Sequence, residues 1–282
     1  RADRPAQHHP AVEIGEVVRS SGIGEVVATD SPNYAVGDIV TALTGWQRYV
    51  ALPDDLLVTN VGPKAEVDQE AHLAVYGSAG MTAYVGMLEV GGVKEGDRVL
   101  VSAAAGATGS IAAQLAKHRG AFVVGLAGTD AKCRWLVDDL GLDDAVNYKT
   151  ADVPAELRRL FRRGIDLFFD NVGGPILDMA LARIADHGRV VLCGAISSYN
   201  DEHRPPGPAN YLNLIQRQAT MQGFLSLHHW GRFGEIQPEL ERMVTSGELK
   251  FRTEVFHGLE SAVDALNAMF TGANTGKILI EL

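Results

Sequence analysis

Short β-branched runs open the chain. Between residues 11 and 53, VEIGEVV, GIGEVVAT, GDIVTAL and WQRYVAL are separated by Ser-Gly, Pro-Asn and Gly-Asp turn signals and read as strands. Residues 66 to 90 turn helical, with Leu73, Val75, Tyr76, Tyr84, Met87 and Leu88 among their apolar positions. From Gly96 onward strand and helix alternate. RVLVSA feeds GATGSIAAQLAKHRG, FVVGLAG feeds TDAKCRWLVDDLG, and DAVNYK precedes the charged helix of PAELRRLFRR. IDLFFDNVGG leads to PILDMALARI and then to RVVLCGAI, and a longer connection ends in the strand MQGFLSL. Short apolar strands that each feed a helix predict a parallel sheet covered on both faces.

Beyond Ser226 the pattern changes. A helix near Gly234–Thr245 contains Pro238, which is expected to start or kink it. The strand TEVFHGL, the helix SAVDALNAMFTG and the strand KILIEL follow. His228 and His229 are adjacent, which does not suit one metal, and they read as part of a loop or helix start. The economical architecture is an α/β unit inserted in a β-rich one, with the last strand returning to the first unit.

Composition narrows this picture little. A chain of 282 residues, 46% apolar and 21% charged, is globular and long enough for two domains. It has no run of about eighteen apolar residues, so no membrane-spanning helix is expected. The opening RADRPAQHHP lacks the apolar centre of a secretory signal. Because the chain starts at Arg1 and residues 11–53 supply few strands for a closed core, sequence is expected to be missing before it. A net charge of −10 argues against a general nucleic-acid binder. Cys133 and Cys193 are too few for a disulfide framework or a four-cysteine zinc site, which points to a reducing, cytoplasmic setting.

The chemistry begins after the strand at Val99–Ala103. Ala104-Ala105-Gly106-Ala107-Thr108-Gly109 matches the G-x-G-x-x-G dinucleotide fingerprint with alanine at its first position, in the required strand–turn–helix setting. Gly106 would let the backbone approach a pyrophosphate, and Gly109 would let helix pack on strand. The helix N-terminus would face the phosphates. An enzyme that takes NAD commonly carries Asp or Glu at the end of the next strand. Here that stretch reads Gly125-Leu126-Ala127-Gly128-Thr129-Asp130-Ala131-Lys132, with no acid in the slot, Asp130 reading as a helix N-cap, and Lys132 and Arg134 following. A cation in place of a carboxylate suits the 2′-phosphate of NADP.

Five strings stand in an order that resembles one family: Met81-Thr82-Ala83-Tyr84, Ala103–Gly109, Asp170-Asn171-Val172-Gly173-Gly174, Cys193–Asn200 and Gly272-Ala273-Asn274-Thr275-Gly276-Lys277. Together they resemble the zinc-independent medium-chain dehydrogenase/reductases, in the branch of NADPH-dependent alkenal/one oxidoreductases that includes prostaglandin and curcumin reductases. The resemblance spans residues 81 to 277, and the first ten residues carry none of its motifs. It implies a doubly wound Rossmann sheet inserted in a β-rich, GroES-like catalytic domain. The divisions would be 1–80 for the truncated catalytic domain, 81–246 for the NADP-binding domain and 247–282 for the return. Pro238 departs from a helix that is usually continuous in the family.

The resemblance also implies roles. Gly106, Ala107, Thr108 and Gly109 would hold the pyrophosphate, Lys132 the 2′-phosphate, and Tyr148 would border the adenosine. Asn171 would contact the cofactor. Cys193, Gly194, Ala195, Ile196, Ser197 and Tyr199 would line the nicotinamide side. Phe224, Leu225 and Ser226 would pass near that ring, and Asn274 would reach back to it. Cys193 reads otherwise as a small residue at a strand end without thiol chemistry, and Asn171 as a turn former. The implied reaction is reduction of the carbon–carbon double bond of an α,β-unsaturated ketone or aldehyde, with Tyr199 or a cofactor ribose hydroxyl donating to the carbonyl oxygen, and Tyr199 otherwise packing on the substrate. No metal is expected, since residues 11–60 hold neither cysteine nor histidine, and no tyrosine has lysine four residues later, as the short-chain reductases require. A quinone oxidoreductase of the same superfamily and an idle NADPH-binding sensor are the competing readings. A homodimer joined along MQGFLSL, with the Pro-rich loop 197–213 as a lid, completes the expectation.

Overall fold

The computed structural model describes residues 12–53, 58–63, 67–201, 203 and 205–282. At the start, β1 (Gly22–Glu25), β2 (Asp38–Ala42) and β3 (Thr59–Pro63) form an antiparallel sheet in the order β1-β2-β3. Two of the four expected strands, VEIGEVV and WQRYVAL, are not strands. Gly15 turns the first of them at φ +95°, Ile14 and Val17 are exposed, and so are Tyr49 and Val50 of the second. A β-branched run becomes a strand where a ladder and a core accept it, and these runs have neither. The third strand comes instead from TNVGP, whose Gly and Pro hide it in sequence.

Two short helices follow, as the helical pattern of residues 66–90 predicts. In α1 (Gln69–Ala74) the Asp68 side chain caps the first turn by accepting from the Ala71 N–H at 2.9 Å. The second, α2 (Ser78–Tyr84), runs on as a π-helical turn through Val85–Val90. Gly86 lies on that turn because a Cβ there would sit 2.6 Å from the Phe224 ring and 2.7 Å from that of Phe169.

The centre of the molecule is a six-stranded sheet, parallel throughout. Its strands are β4 (Arg98–Val101), β5 (Phe122–Ala127), β6 (Asp144–Asn147), β7 (Ile165–Asp170), β8 (Ile184–Leu192) and β9 (Thr220–Gly223), in the order β6-β5-β4-β7-β8-β9. This is the doubly wound Rossmann order, with its switch point between β4 and β7. Helices α3 (Ala107–His118), α4 (Asp130–Arg134), α5 (Val153–Leu160) and α6 (Gly174–Leu181) cover the faces, and α7 (Asn213–Gln216) precedes β9. Side-chain alternation sorts the strands into two cores. Val99, Val101, Leu167 and Phe169 pack with α2 and α3 on one face. Leu100, Val124, Leu126 and Phe168 pack with α5 and α6 on the other. MQGFLSL contributes only its first residues to β9, which is an outer strand, and the chain leaves the sheet at Phe224.

A long helix, α8 (Phe233–Thr245), runs through Pro238 rather than starting at it. The apolar stripe Ile236, Leu240 and Met243 is buried and holds the helix across the lost hydrogen bond. The chain ends with β10 (Thr253–His257), α9 (Ala262–Thr271) and β11 (Lys277–Glu281). Among the described residues the last strand pairs in parallel with β10. Thr253 hydrogen-bonds Glu70 of α1. Gln114 of α3 is buried and holds both backbone groups of Lys250, at 2.8 Å each, so the final segment is tied to the central sheet as well. No helix among the described residues is long and apolar enough to cross a membrane.

Candidate active site

At the carboxyl end of β4 the chain turns through Ser102–Gly106 into α3. Ala103 takes φ +46°, an unusual value for alanine, and the Gly106 N–H closes the turn on the Ala103 carbonyl at 3.0 Å. The two fingerprint glycines do different work. A Cβ on Gly109 would lie 2.3 Å from the Ala103 oxygen, so the helix can rest on the turn only with glycine there. A Cβ on Gly106 would meet just that oxygen, at 3.3 Å, which leaves its outer side open to a ligand. No side chain caps Gly106 at the head of α3. The amides of Ala107, Thr108 and Gly109 lack intrahelical acceptors and favour an anion. This cradle fits a pyrophosphate.

The far end of the chain clasps the same turn. Gly276 donates its N–H to the Ala105 carbonyl at 2.8 Å and bridges Gly106. Its Cβ would fall 1.9 Å from the Arg252 carbonyl, at φ +72°, so only glycine makes this approach. Asn274 stands beside the clasp and donates its Nδ2 to the Gly276 carbonyl at 3.1 Å.

Beyond β5, the helix α4 is capped by Thr129, whose hydroxyl accepts from the Lys132 N–H at 3.3 Å. Asp130 is therefore not the cap. Sitting one residue inside, it accepts from Asn147 Nδ2 at 2.7 Å and ties α4 to β6. Lys132 is 8% exposed, which is rare for lysine. Its Nζ donates to the Gly272 carbonyl at 2.7 Å, at the left-handed C-cap of α9. Burial and the neighbouring Lys149 lower its pKa, and Glu254 opposes them. A Cβ on Gly128 would stand 3.1 Å from the Tyr148 hydroxyl and 3.2 Å from Lys149 Cε. Tyr148 and Lys149 thus border Gly128, Lys149 acts on Lys132 through its charge, and an ammonium held on a backbone carbonyl suits a phosphate.

The switch point is pinned by polar bonds. Asp170, fully buried, accepts from Ser102 Oγ at 2.8 Å and from the N–H groups of Val172 and Gly173 at 3.0 and 3.1 Å. Burial raises its pKa despite these bonds. Asn171 donates its Nδ2 to the Ser102 carbonyl at 2.7 Å and its backbone N–H to Ser102 Oγ at 2.8 Å. β4 and β7 are thereby locked together where a ligand would cross them.

Past β8, the segment Cys193–Tyr199 folds back over the Asp170–Gly173 turn. The Cys193 and Gly194 amides donate to the Asp170 carbonyl at 2.8 and 3.0 Å, those of Ile196 and Ser197 to Asn171 and Val172, and Ser197 Oγ to the Val172 carbonyl at 2.6 Å. The Tyr199 hydroxyl accepts from the Ala195 N–H at 3.2 Å. The residue is 54% exposed, and among the described residues its own O–H proton has no acceptor. Of the loop 197–213, expected from sequence to act as a lid, Glu202 and Arg204 lie outside the described residues. On the opposite wall Phe224 packs on Gly86, Leu225 follows, and Ser226 Oγ accepts from Thr82 Oγ1 at 2.9 Å. His228 and His229 fall in a 3₁₀ turn, Ser226–Arg232.

Burial, and then Asp170, push the Cys193 thiol up to about 12. At pH 8 its thiolate fraction is then smaller than that of an ordinary cysteine by about three orders of magnitude. In a Cys133→Ser background, iodoacetamide should modify Cys193 at least about tenfold more slowly than a free thiol, the greater nucleophilicity of a more basic thiolate offsetting part of its scarcity. Alkylation at an ordinary rate, followed by mass spectrometry, would return the thiol to the candidate chemistry.

The positions taken from the sequence thus gather along the carboxyl edge of the sheet. Three features escaped the sequence reading: the Ser102–Asp170–Asn171 lock, Lys149 beside Lys132, and the clasp of Gly276 on Ala105. Only Lys149, next to Tyr148, left a signal that could have been used.

Two family models match the chain: "Zinc-binding dehydrogenase" over residues 107–244 and "N-terminal domain of oxidoreductase" over residues 1–59. The second takes in the first ten residues, which the motifs had left unmatched. The chain is 33% identical to the NADPH-dependent curcumin reductase of Escherichia coli, over 100% of this chain and 82% of that protein. It is 36% identical to the NADP(+)-dependent 2-alkenal reductase of Nicotiana tabacum, over 94% of this chain and 77% of that one. The crystal structure of CurA from Vibrio vulnificus in complex with NADPH superposes with a TM-score of 0.90 at 34% identity, covering 98% of this chain and 83% of the other. The Rossmann order, the glycine turn and these likenesses agree: the chain belongs to the medium-chain dehydrogenase/reductase family, in the branch of NADPH-dependent alkenal, curcumin and prostaglandin reductases.

Proposed function

We propose that this NADP-dependent oxidoreductase reduces the carbon–carbon double bond of α,β-unsaturated ketones and aldehydes. One observation carries the reading: Tyr199 is 54% exposed beside the segment that folds over the Asp170–Gly173 turn, and its hydroxyl oxygen accepts from the Ala195 N–H. Its O–H is the donor needed where negative charge gathers on a carbonyl oxygen. The relative named for 2-alkenals, which are α,β-unsaturated aldehydes, supports the substrate class.

Bound NADPH supplies a hydride to the β-carbon of the substrate. The chain's own tasks are orientation, exclusion of water and stabilisation of the oxyanion. Gly106–Gly109 and the head of α3 would hold the pyrophosphate, with Lys132, Tyr148 and Lys149 around the 2′-phosphate. Asn171 and the 193–199 segment, hydrogen-bonded to one another, would keep the nicotinamide side in register. Phe224 to Ser226 would form the facing wall. Tyr199 would donate to the carbonyl oxygen while the charge develops there.

The reading is tested by NADPH oxidation against a panel of enones, with the products identified. A saturated ketone or aldehyde is expected. A hydroquinone from quinones alone would favour the quinone oxidoreductase, and cofactor binding without consumption would favour an idle sensor. Tyr199→Phe should lower kcat about tenfold or more while NADPH affinity stays within about threefold. An unchanged kcat would make Tyr199 a packing residue.

The same reading includes a homodimer through the exposed outer strand β9, a division at residues 80 and 246, and a cytoplasmic setting for two free thiols. Sedimentation of the purified protein as a monomer would remove the dimer.

A further inference from the structure

Among the described residues, two buried side-chain atoms lack a hydrogen-bond partner: Arg98 Nη1 and Arg183 Nε. Both are guanidinium nitrogens, and each belongs to an arginine lining one of two adjoining clefts. These clefts lie at the amino ends of β4, β7 and β8, the edge of the sheet away from the glycine turn. The larger, about 500 Å³, is walled by Arg98, Arg159, Leu160, Arg162 and Arg163. The smaller shares Arg162 and Arg163 and adds Arg183 and Arg217.

The fold presents these groups rigidly. Phe161 is fully buried and accepts from the Gly164 N–H at 2.9 Å. Gly164 takes φ +89°, and a Cβ there would meet Ala185 Cα at 2.7 Å. Arg162 and Arg163 therefore sit exposed at the tip of a tight turn anchored on both sides. The carboxylates nearby are already engaged. Asp166 is gripped by Arg98 Nε and Nη2 at 2.6 and 2.7 Å. Glu156 and Asp144 pair with Arg159 at 2.7 and 3.3 Å, and Asp186 pairs with Arg217 at 3.0 Å. Among the described residues Arg162 and Arg163 have no ion pair, in a chain whose net charge is −10. Complementing the carboxyl end of α5 would explain Arg158 and Arg159 in its last turn. It does not explain Arg98 or Arg183, which lie at the start of β4 and immediately before β8.

The exposed guanidinium forks of Arg162 and Arg163, with the partly engaged Arg98 and Arg183 beside them, match the oxygens of a phosphate better than a single carboxylate. We infer that this edge of the sheet is a binding site for a small phosphate-bearing anion, separate from the cofactor crevice. A long polyanion suits it less, because it would have to cross the acidic remainder of the surface.

Inorganic pyrophosphate, titrated calorimetrically into the protein saturated with NADPH, tests this with the crevice filled. One site with a Kd below about 1 mM is expected. The double variant R162Q/R163Q, both positions exposed, should bind pyrophosphate at least tenfold more weakly with its melting temperature and NADPH oxidation unchanged. Lys132→Ala should leave the pyrophosphate isotherm as it is. Repeating the titration without NADPH keeps the result meaningful should the cofactor reading fail, since the arginine-dependent part must persist. Absence of binding, equal binding by the double variant, or a single-stranded oligonucleotide outcompeting pyrophosphate would each overturn the inference.

Discussion

A Lys132→Ala variant is expected to bind NADPH at least about tenfold more weakly while its NADH affinity changes less than about twofold, a differential of roughly 1 kcal/mol or more. The two cofactors differ only in the 2′-phosphate, so the comparison isolates the group Lys132 is proposed to meet. Its Nζ holds the Gly272 carbonyl with one of three donors, which fixes the ammonium in place and leaves two for a ligand. A general loss of structure would weaken both cofactors together, and that result would count against the assignment. The pH dependence has a definite sign. Burial and Lys149 lower the Lys132 pKa, so the free site loses its cation earlier than an ordinary lysine as pH rises. The preference for NADPH should therefore fade on the alkaline side and be constant toward neutrality. Lys149→Ala should weaken the preference in the same direction and by less.

Gly109→Ala is expected to damage the protein itself. The added methyl would stand 2.3 Å from the Ala103 oxygen and 3.0 Å from its carbonyl carbon. Neither atom can retreat, because the same turn is held by the Gly106 N–H and by strand β4. Overpacking against fixed backbone costs about 3 kcal/mol, and the first turn of α3 must tilt away from the site of the pyrophosphate. Thermal unfolding and NADPH titration should both register the change. Gly106→Ala is the informative contrast. Its methyl meets one atom, at 3.3 Å, so stability should fall by less than about 1 kcal/mol while NADPH binding suffers. Equal stability losses in the two variants would mean that the turn is merely a packing motif.

How far the site was legible follows from these residues. The glycine turn could be recognised because its chemistry is local: strand, turn and helix are contiguous, and each glycine answers a backbone demand. The absent acid and the present lysine after β5 are local as well. What sequence did not disclose depends on partners distant in the chain. The lock at the switch point requires β4 beside β7, and Ser102 by itself is an unremarkable serine. Thr129 and Asp130 both cap helices well, and only the backbone decides between them. In the opening region four β-branched runs looked alike, yet only two of them pair, and a glycine-containing third strand joins them.

The clasp between Gly276 and the glycine turn has a consequence for how the crevice opens and closes in time. The amide of Gly276 is protected by Ala105, a residue of the turn between β4 and α3 and distant in the chain, so deuterium can reach it only when the two segments part. Its exchange rate would serve as a gauge of large-scale opening. Fraying of the neighbouring loops would leave it untouched, whereas occupation of the turn by a ligand would slow it.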